Sequence, residues 1–505
     1  MATMESHNAA VNAIAAQVGD FFKRKETFRI YHGSTNSTRI VQFDPERMID
    51  MSDFNHVLRV DRERQVAVVQ ANVPMDMLVE ETLKHGLIPP VVMEFPGITT
   101  GGGYAGVAGE SSSWKHGFFD RTVNWVDVVL LNGEIMRASP WQNKDLFDGA
   151  PGTYGTLCVT TLFEIQLIPA KEYVELEYVT VDSVPAAIST VQEAVHSATV
   201  DYIDGILFSP TSGTVMLGRL TDTPSSPSTP VKRFTRRWDK WFYVHAEKIT
   251  KTTNVHTLDS NRRNHVELIP LVDYLFRYDR GAFWTGRYAF SRFYTPFNRV
   301  TRALLDPLMH TRPMYAALNA SRYSTQYVIQ DLALPFDGAE EFIKWNEQEA
   351  KIWPLWLCPL RLNDENAVPL RAKVGRPTYM LNIGVWGPGP RQRAPFIEIN
   401  RSLERAVARL GGFKWLYANT YYTQSEFWRI YDRAWYDGLR AKYRAGEPWM
   451  TRSQQEGEIK VSGIRGIRVA LKMVVKEKFG GGRGTAKGTH LVEVKPKGEK
   501  LKKRS

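Results

Sequence analysis

Residues 96–113 of this chain read Pro-Gly-Ile-Thr-Thr-Gly-Gly-Gly-Tyr-Ala-Gly-Val-Ala-Gly-Glu-Ser-Ser-Ser. Gly101, Gly102, Gly103, Gly106 and Gly109 remove side chains where a main chain must come close to something. Pro96, Thr99 and Thr100 precede them, and Glu110, Ser111, Ser112 and Ser113 follow as a run of polar groups. Free N–H groups beside Ser and Thr hydroxyls make a surface for a phosphate-bearing cofactor. The literal G-x-G-x-x-G at Gly101, Gly103 and Gly106 suggests a dinucleotide fingerprint of βαβ type. Pro89, Pro90 and Pro96 stand where that unit needs an uninterrupted buried strand, so this reading is set aside.

Two further turns share the chemistry. Tyr31-His32-Gly33-Ser34-Thr35-Asn36-Ser37-Thr38-Arg39 follows the strand-like Thr27–Ile30, and Ala150-Pro151-Gly152-Thr153-Tyr154-Gly155-Thr156-Leu157 runs into Cys158-Val159. Each alone reads as an ordinary tight turn. The ordered trio suits a long dinucleotide lying extended between two subdomains.

The motifs carry a resemblance. Thr99-Thr100-Gly101-Gly102, Gly109-Glu110-Ser111-Ser112-Ser113, Lys115-His116-Gly117-Phe118-Phe119, Asp145-Leu146-Phe147, Gly155-Thr156-Leu157 and Ile168-Pro169-Ala170-Lys171 resemble the FAD-binding family of vanillyl-alcohol oxidase and p-cresol methylhydroxylase. Trp353-Pro354-Leu355-Trp356-Leu357-Cys358-Pro359, Leu416-Tyr417-Ala418 and Glu426-Phe427-Trp428 are similar to the Δ24-sterol reductase branch of it. The resemblance implies an α+β protein: a two-subdomain FAD-binding domain of the p-cresol methylhydroxylase type, with a cap of antiparallel sheet and helices. It places FAD on His32, Gly33, Ser34, Thr35, Asn36 and Ser37, on Pro96 and the Thr99–Ser113 loop, and on Gly117, Gly155, Thr156 and Val159. Asn36 and Phe95 stand where family oxidases carry the histidine and cysteine that bond to flavin. Neither can form such a bond, so the FAD is expected to be non-covalent.

Composition bounds the rest. At 505 residues, 43% hydrophobic and 24% charged, the protein is globular and long enough for two or three domains. Two cysteines exclude a disulfide framework and fit a reducing compartment. No signal peptide or spanning stretch is readable, so the expectation is a cytoplasmic protein. Residues 451–505 hold 15 of the 65 basic residues and 5 of the 54 acidic ones, leaving 50 against 49 in residues 1–450. The body is therefore near neutral, which gives no support to nucleic-acid binding. Within the tail, Ile464, Ile467, Leu471, Val474 and Val475 form a helical stripe flanked by Arg465, Arg468, Lys472, Lys476 and Lys478. Residues 464–479 would lie either on an anionic membrane surface, such as that of the endoplasmic reticulum, or against the protein's own body.

The expected organisation is a helical leader at 1–22, the FAD domain at 23–170, the cap at 171–414, a return to the FAD domain at 415–450, and the tail at 451–505. Strands are expected at Val66–Gln70, Trp125–Leu130, 157–168, Tyr173–Thr180 and Tyr327–Leu334, and helices at Met75–His85 and Val184–Ala198. Oligomeric state is not readable.

Hydride chemistry also needs a substrate wall and a proton source. Trp353, Trp356, Trp386, Trp415 and Trp428 suit a flat apolar ligand, although packing explains most aromatics. Tyr417, Tyr421 and Tyr422 can donate a proton as well, and Tyr421 or Tyr422 is the expected acid. Gln330-Asp331 is a polar pair in an apolar strand and requires partners. Arg361 could offset flavin charge or form a salt bridge, and His116 reads as a spacer. No H-x-x-x-H or C-x-x-C spacing supports a metal. The resemblance implies that NADPH reduces the flavin, which passes hydride to an isolated C=C bond in the side chain of a sterol or related terpenoid lipid while a protein acid protonates the other carbon. Two alternatives stay open: an oxidase of an alcohol or phenol with the same fold, marked by rapid air reoxidation, and a colourless non-catalytic lipid-binding protein.

Overall fold

Val66–Gln70 is β-branched and apolar along nearly its whole length, and it is buried throughout as a strand. The computed structural model describes residues 3–33, 44–253, 264–362, 372, 377–445 and 463–479. Val66–Gln70 belongs to a five-stranded sheet ordered Val57–Asp61, Val66–Gln70, Cys158–Gln166, Val123–Leu130 and Ile135–Ala138. All its pairings are antiparallel. Strand alternation sends Val129 and Val159 to one face, and Val128 and Cys158 to the other.

The first face is covered by the helix Met4–Arg24, whose Val11, Ile14, Val18 and Phe21 recur at helical spacing and are buried. Thr3 and Ser6 close its start as a capping box. The helix is part of the core. The second face packs on the helix Met75–Leu83 through Met75 and Leu78. That helix stops two residues short of the expected end, and Gly86, at φ +72°, turns the backbone out.

The second sheet has eight strands in the order Asn264–Pro270, Tyr173–Val181, Ser212–Thr221, Tyr202–Ser209, Leu355–Arg361, Tyr379–Pro388, Tyr327–Leu334 and Phe413–Lys414. It too is antiparallel throughout. Helices Val184–Ala194, Phe336–Trp345 and Arg393–Arg409 bury their apolar sides on one face. The other face carries Trp356, Trp386, Trp415 and Tyr278, packed with Val92, Phe95, Val107 and Phe118 from the glycine- and serine-rich region. The architecture is α+β, and this aromatic face is where the two sheets' units meet. Among the described residues no helix is long and apolar enough to cross a membrane.

The segment 277–312 is fastened by His310, whose Nδ1 meets Asp279 and whose Nε2 lies 3.5 Å from Asp306. Burial alone would lower this imidazole's pKa, but the two carboxylates raise it to about 10. Its folded-state pKa lies above the unfolded one, so its stabilising contribution is complete below about pH 6.5 and is lost as pH rises through about 10. Thermal melts between pH 7 and 10 should show a falling midpoint in the parent and a flatter profile in His310→Gln.

Candidate functional site

Three glycine- and hydroxyl-bearing segments converge. His32 and Gly33 follow the strand Arg29–Tyr31, which pairs in parallel with Met48–Asp50; Ser34, Thr35, Asn36 and Ser37 lie outside the described residues. Gly155 has φ +82°, and a Cβ there would lie 2.5 Å from Ile30 Cδ1, so the 150–157 turn rests against that strand. Gly152 N donates to Ala105 O at 3.0 Å, joining the same turn to the helix Thr100–Gly106.

The glycines of that helix serve the protein's own packing more than was expected. A Cβ on Gly101 would lie 2.8 Å from Ala71 O, on Gly103 2.4 Å from Met93 Cε, and on Gly109 2.9 Å from Leu360 Cδ2. Thr99 caps the helix by accepting from Gly102 N at 3.1 Å, and Thr100 Oγ1 donates to Gln70 O at 2.8 Å. Gly106 is different: a Cβ there would meet only the Tyr154 ring, at 4.0 Å. Thr156 accepts from Tyr436 Oη at 2.7 Å, and its carbonyl takes the buried Arg440 guanidinium, so the helix Arg433–Lys442 closes back onto this turn. The Val159 side chain is buried in the cluster under the N-terminal helix.

The serine loop is knotted around one carboxylate. Glu110 accepts from Ser111 Oγ at 2.8 Å, Ser112 N at 3.0 Å and Ser112 Oγ, while Ser113 Oγ accepts from Glu110 N at 2.9 Å. Burial raises the Glu110 pKa although these bonds oppose it. Glu94 is pushed up further, by burial and then by the charge of Glu110. Gly117, at φ +77°, ends the short helix Ser113–His116. His116 is held neutral, lowered to about 4 by burial and by Lys115, which suits a spacer.

Sequence reasoning passed over the group beside this loop. Arg277 reaches Ser111 Oγ at 3.2 Å and Asp204 Oδ2 at 3.0 Å, and Tyr278 Oη and Trp356 Nε1 donate to the same oxygen at 2.7 and 3.1 Å. Ile203 N donates to Ser111 O at 2.8 Å. The cluster ties the serine loop to the eight-stranded sheet. Glu94 Oε1, Asp204 Oδ1 and Arg277 Nε are buried and have no hydrogen-bond partner among the described residues. The only signal in the sequence was the charged run Arg277-Tyr278-Asp279-Arg280 within an apolar stretch.

Gln330 and Asp331 point to opposite faces of their strand. Gln330 bonds Lys414 Nζ at 3.0 Å and Asn400 Oδ1 at 3.0 Å, and Lys414 meets Glu404 at 2.8 Å in full burial. Asp331 faces the aromatic side: Tyr417 Oη donates to Oδ2 at 2.6 Å, with Trp386 Nε1 at 3.4 Å from Oδ1. Burial raises the Asp331 pKa against these bonds, and burial and then Asp331 raise that of Tyr417. Phe95, next to Pro96, packs on Trp386, Tyr315 and Phe283 with ring centroids 5.6–5.9 Å apart. Trp415 Nε1 donates to Val107 O at 2.7 Å. Tyr417 therefore stands with the glycine helix and the aromatic wall. Tyr421 packs on Phe396, its N–H on Glu404 and its carbonyl on Arg401. Tyr422 lies by Lys414 and Phe427. Arg361 is exposed at its strand's end.

A family model described as an FAD binding domain matches residues 9–139, which include the helix Met4–Arg24 in large part, the first sheet's opening strands and the glycine and serine loops. The match likens residues 9–139 to an FAD-binding domain, and the wider similarity of the chain is to oxidoreductases. Within them, its similarity runs to the Δ24-sterol reductases. It is 28% identical to the Delta(24)-sterol reductase homolog of Caenorhabditis elegans over 82% of this chain and 78% of the relative. It is 28% identical to the Delta(24)-sterol reductase of Homo sapiens over 81% and 77%, and 28% identical to that of Pisum sativum over 80% and 75%. The geometry of these residues fits FAD. The three segments share one locus, a Cβ on Gly106 would meet nothing closer than the Tyr154 ring at 4.0 Å, and Arg277 Nε, with no hydrogen-bond partner among the described residues, supplies a buried donor beside the serine loop.

Proposed function

We propose that the protein reduces an isolated C=C bond in the side chain of a sterol or related terpenoid lipid, with NADPH as electron donor and non-covalent FAD as carrier. The observation that carries this reading is the Tyr417–Asp331 pair beside the aromatic wall at Phe95. Bound FAD supplies the hydride, received from NADPH. The protein's own residues do the rest. The three convergent loops hold the cofactor, with the Arg277–Asp204 cluster fixing the serine loop in place. Phe95, Trp386, Phe283 and Tyr315 exclude water and form an apolar aromatic wall for the substrate.

An isolated alkene accepts hydride poorly, so an acid must meet the second carbon as charge develops there. Tyr417 is that acid in this reading, and Asp331 is its positioning partner. Burial drives Asp331 toward its protonated form. A protonated Asp331 donates to Tyr417 Oη, which frees the phenol hydrogen to turn toward substrate and replaces it after transfer.

An anaerobic absorbance titration tests the whole reading. NADPH should bleach the flavin spectrum, and desmosterol should restore it without air. Recovery only when air is admitted would instead favour the oxidase.

A lipid substrate also implies a membrane, and the tail helix supports peripheral contact. Gly463–Phe479 rests on the helix Thr311–Ser321 through small residues: a Cβ on Gly466 would lie 2.8 Å from Ala317 O, and Ala470 is buried. Gly466 and Ala470 take the second of the two expected placements, against the protein's own body, and Val469, Met473 and Val474 are half-buried. Ile464, Ile467, Leu471 and Val475 stay 40–67% exposed, beside exposed Arg465, Arg468 and Lys472.

A further inference from the structure

His265 and Glu267 are two residues apart on the edge strand Asn264–Pro270, so strand alternation puts them on one face. His245, on the helix Phe242–Thr252, reaches the same point from above. His245 Nε2 lies 3.0 Å from each carboxylate oxygen of Glu267, and His265 Nε2 lies 3.3 Å from Oε2. The ligand atoms of all three fall within 4.8 Å of one another. Tyr178 Oη donates to Glu267 Oε1 at 2.7 Å, which leaves Oε2 as the oxygen turned to both imidazoles. Rings of Tyr178 and Phe234 wall His245 at 6.1 and 5.4 Å between centroids. The expectation of no metal rested on spacing within single elements. This trio is assembled from a helix and a strand.

We infer that His245, His265 and Glu267 form a zinc site of two imidazoles and one carboxylate, separate from the flavin chemistry. Bonds of about 2.0–2.1 Å in tetrahedral geometry set neighbouring ligand atoms about 3.3 Å apart, which is the range seen between these nitrogens and Oε2. Imidazole nitrogen favours zinc and related transition ions over magnesium or calcium, which take oxygen. Tyr178 is the outer partner that orients the ligating carboxylate. The His265 side chain is 40% exposed, so the fourth position opens to water. The ion's role is a clip. It ties the edge strand to the helix that carries Phe242, whose ring packs edge-on to Tyr278 at 5.2 Å, and Tyr278 in turn bonds Asp204. Zinc would thus brace the outer side of the cluster that holds the serine loop.

The test is calorimetric titration of the full-length flavoprotein, freed of metal by chelator and dialysis, with zinc chloride and separately with magnesium chloride. One zinc per protein molecule, no magnesium heat, and a higher melting temperature with zinc are expected. His265→Ala, at a half-exposed position, should weaken zinc binding by about 100-fold or more and abolish the zinc-dependent rise in melting temperature. Glu267→Gln should do the same with the hydrogen-bonding shape kept. Absence of stoichiometric zinc in the parent would overturn the site, as would zinc binding that His265→Ala leaves unchanged. The flavin absorbance of each variant is recorded alongside, so loss of the cofactor fold is distinguishable from loss of the metal.

Discussion

Tyr417→Phe should reduce flavin by NADPH at close to the parent rate yet return the electrons to the alkene about 10²–10⁴ times more slowly, the range typical of a lost general acid. The substitution keeps the ring and removes only the hydroxyl that donates to Asp331 at 2.6 Å. It leaves a buried carboxyl with Trp386 as its near donor, at a longer 3.4 Å, so some loss of stability is expected as well. Stopped-flow measurement of the two half-reactions separates these effects, because a structural defect would slow both. Asp331→Asn should lower the same half-reaction and remove the dependence on the carboxyl's ionisation. In the parent, the raised Asp331 pKa means that the protonated form is present at low pH and is lost as pH rises through it. Alkene reduction should therefore fall with increasing pH, and the Asn variant should flatten that limb. Tyr421→Phe is the control. Its neighbours are Phe396, Glu404 and Arg401, so its alkene half-reaction should stay near the parent's. A Tyr421→Phe variant as slow as Tyr417→Phe would return the acid to one of the two residues first expected from sequence, Tyr421 and Tyr422.

The three tyrosines show where sequence reasoning reached and where it stopped. They lie within six residues, and each is a phenol in an aromatic-rich stretch. Which one meets Asp331 depends on a pairing more than 80 residues away along the backbone. Leu332 pairs with Lys414 and Ala333 with Phe413, and Trp415 N donates to Asp331 O. No periodicity in 415–422 encodes that register. Strands with strong alternation or β-branching, such as Val66–Gln70 and Tyr327–Leu334, were legible because local preference and burial agree. The helix Met75–Leu83 was legible from its apolar spacing and from Gly86.

The glycine loops were legible as a set but not in their division of labour. Gly101, Gly103 and Gly109 accommodate Ala71, Met93 and Leu360, whereas a Cβ on the buried Gly106 would meet only the Tyr154 ring, at 4.0 Å. Only the packed neighbours reveal this. The Arg277–Asp204–Ser111 group was not legible as a group, since its members come from three distant segments and only Ser111 belongs to a recognisable motif. His245, His265 and Glu267 were not legible as a group either, because a helix and a strand must pack together to assemble them.

Deleting residues 463–505 should release the protein from anionic vesicles while leaving its flavin in place. The helix Gly463–Phe479 touches the body along Gly466 and Ala470, so the large apolar side chains Ile464, Ile467, Leu471 and Val475 project away from it. Solvent exposure of several such side chains on one short helix is unfavourable unless something covers them. Exposed Val300 and Leu304 lie on the helix Arg299–Leu305, just before the Asp306–Leu308 turn that the tail helix also contacts, and they extend the apolar area. Arg465, Arg468 and Lys472 border it, and each basic residue near an anionic surface is worth about 1 kcal/mol. Neutralising these three to Gln should therefore weaken vesicle binding by about two orders of magnitude. Replacing Ile467 and Leu471 by Ser should weaken binding at every salt concentration, because apolar burial is not screened. Sedimentation with vesicles of phosphatidylserine and phosphatidylcholine, against phosphatidylcholine alone, measures both contributions. Equal sedimentation of parent and truncated protein would show that the helix does not face lipid. Turnover of a water-solubilised sterol should survive the truncation, since Tyr417, Asp331 and the cofactor loops all lie outside residues 463–505. The tail would then bring the enzyme to its substrate without taking part in its chemistry.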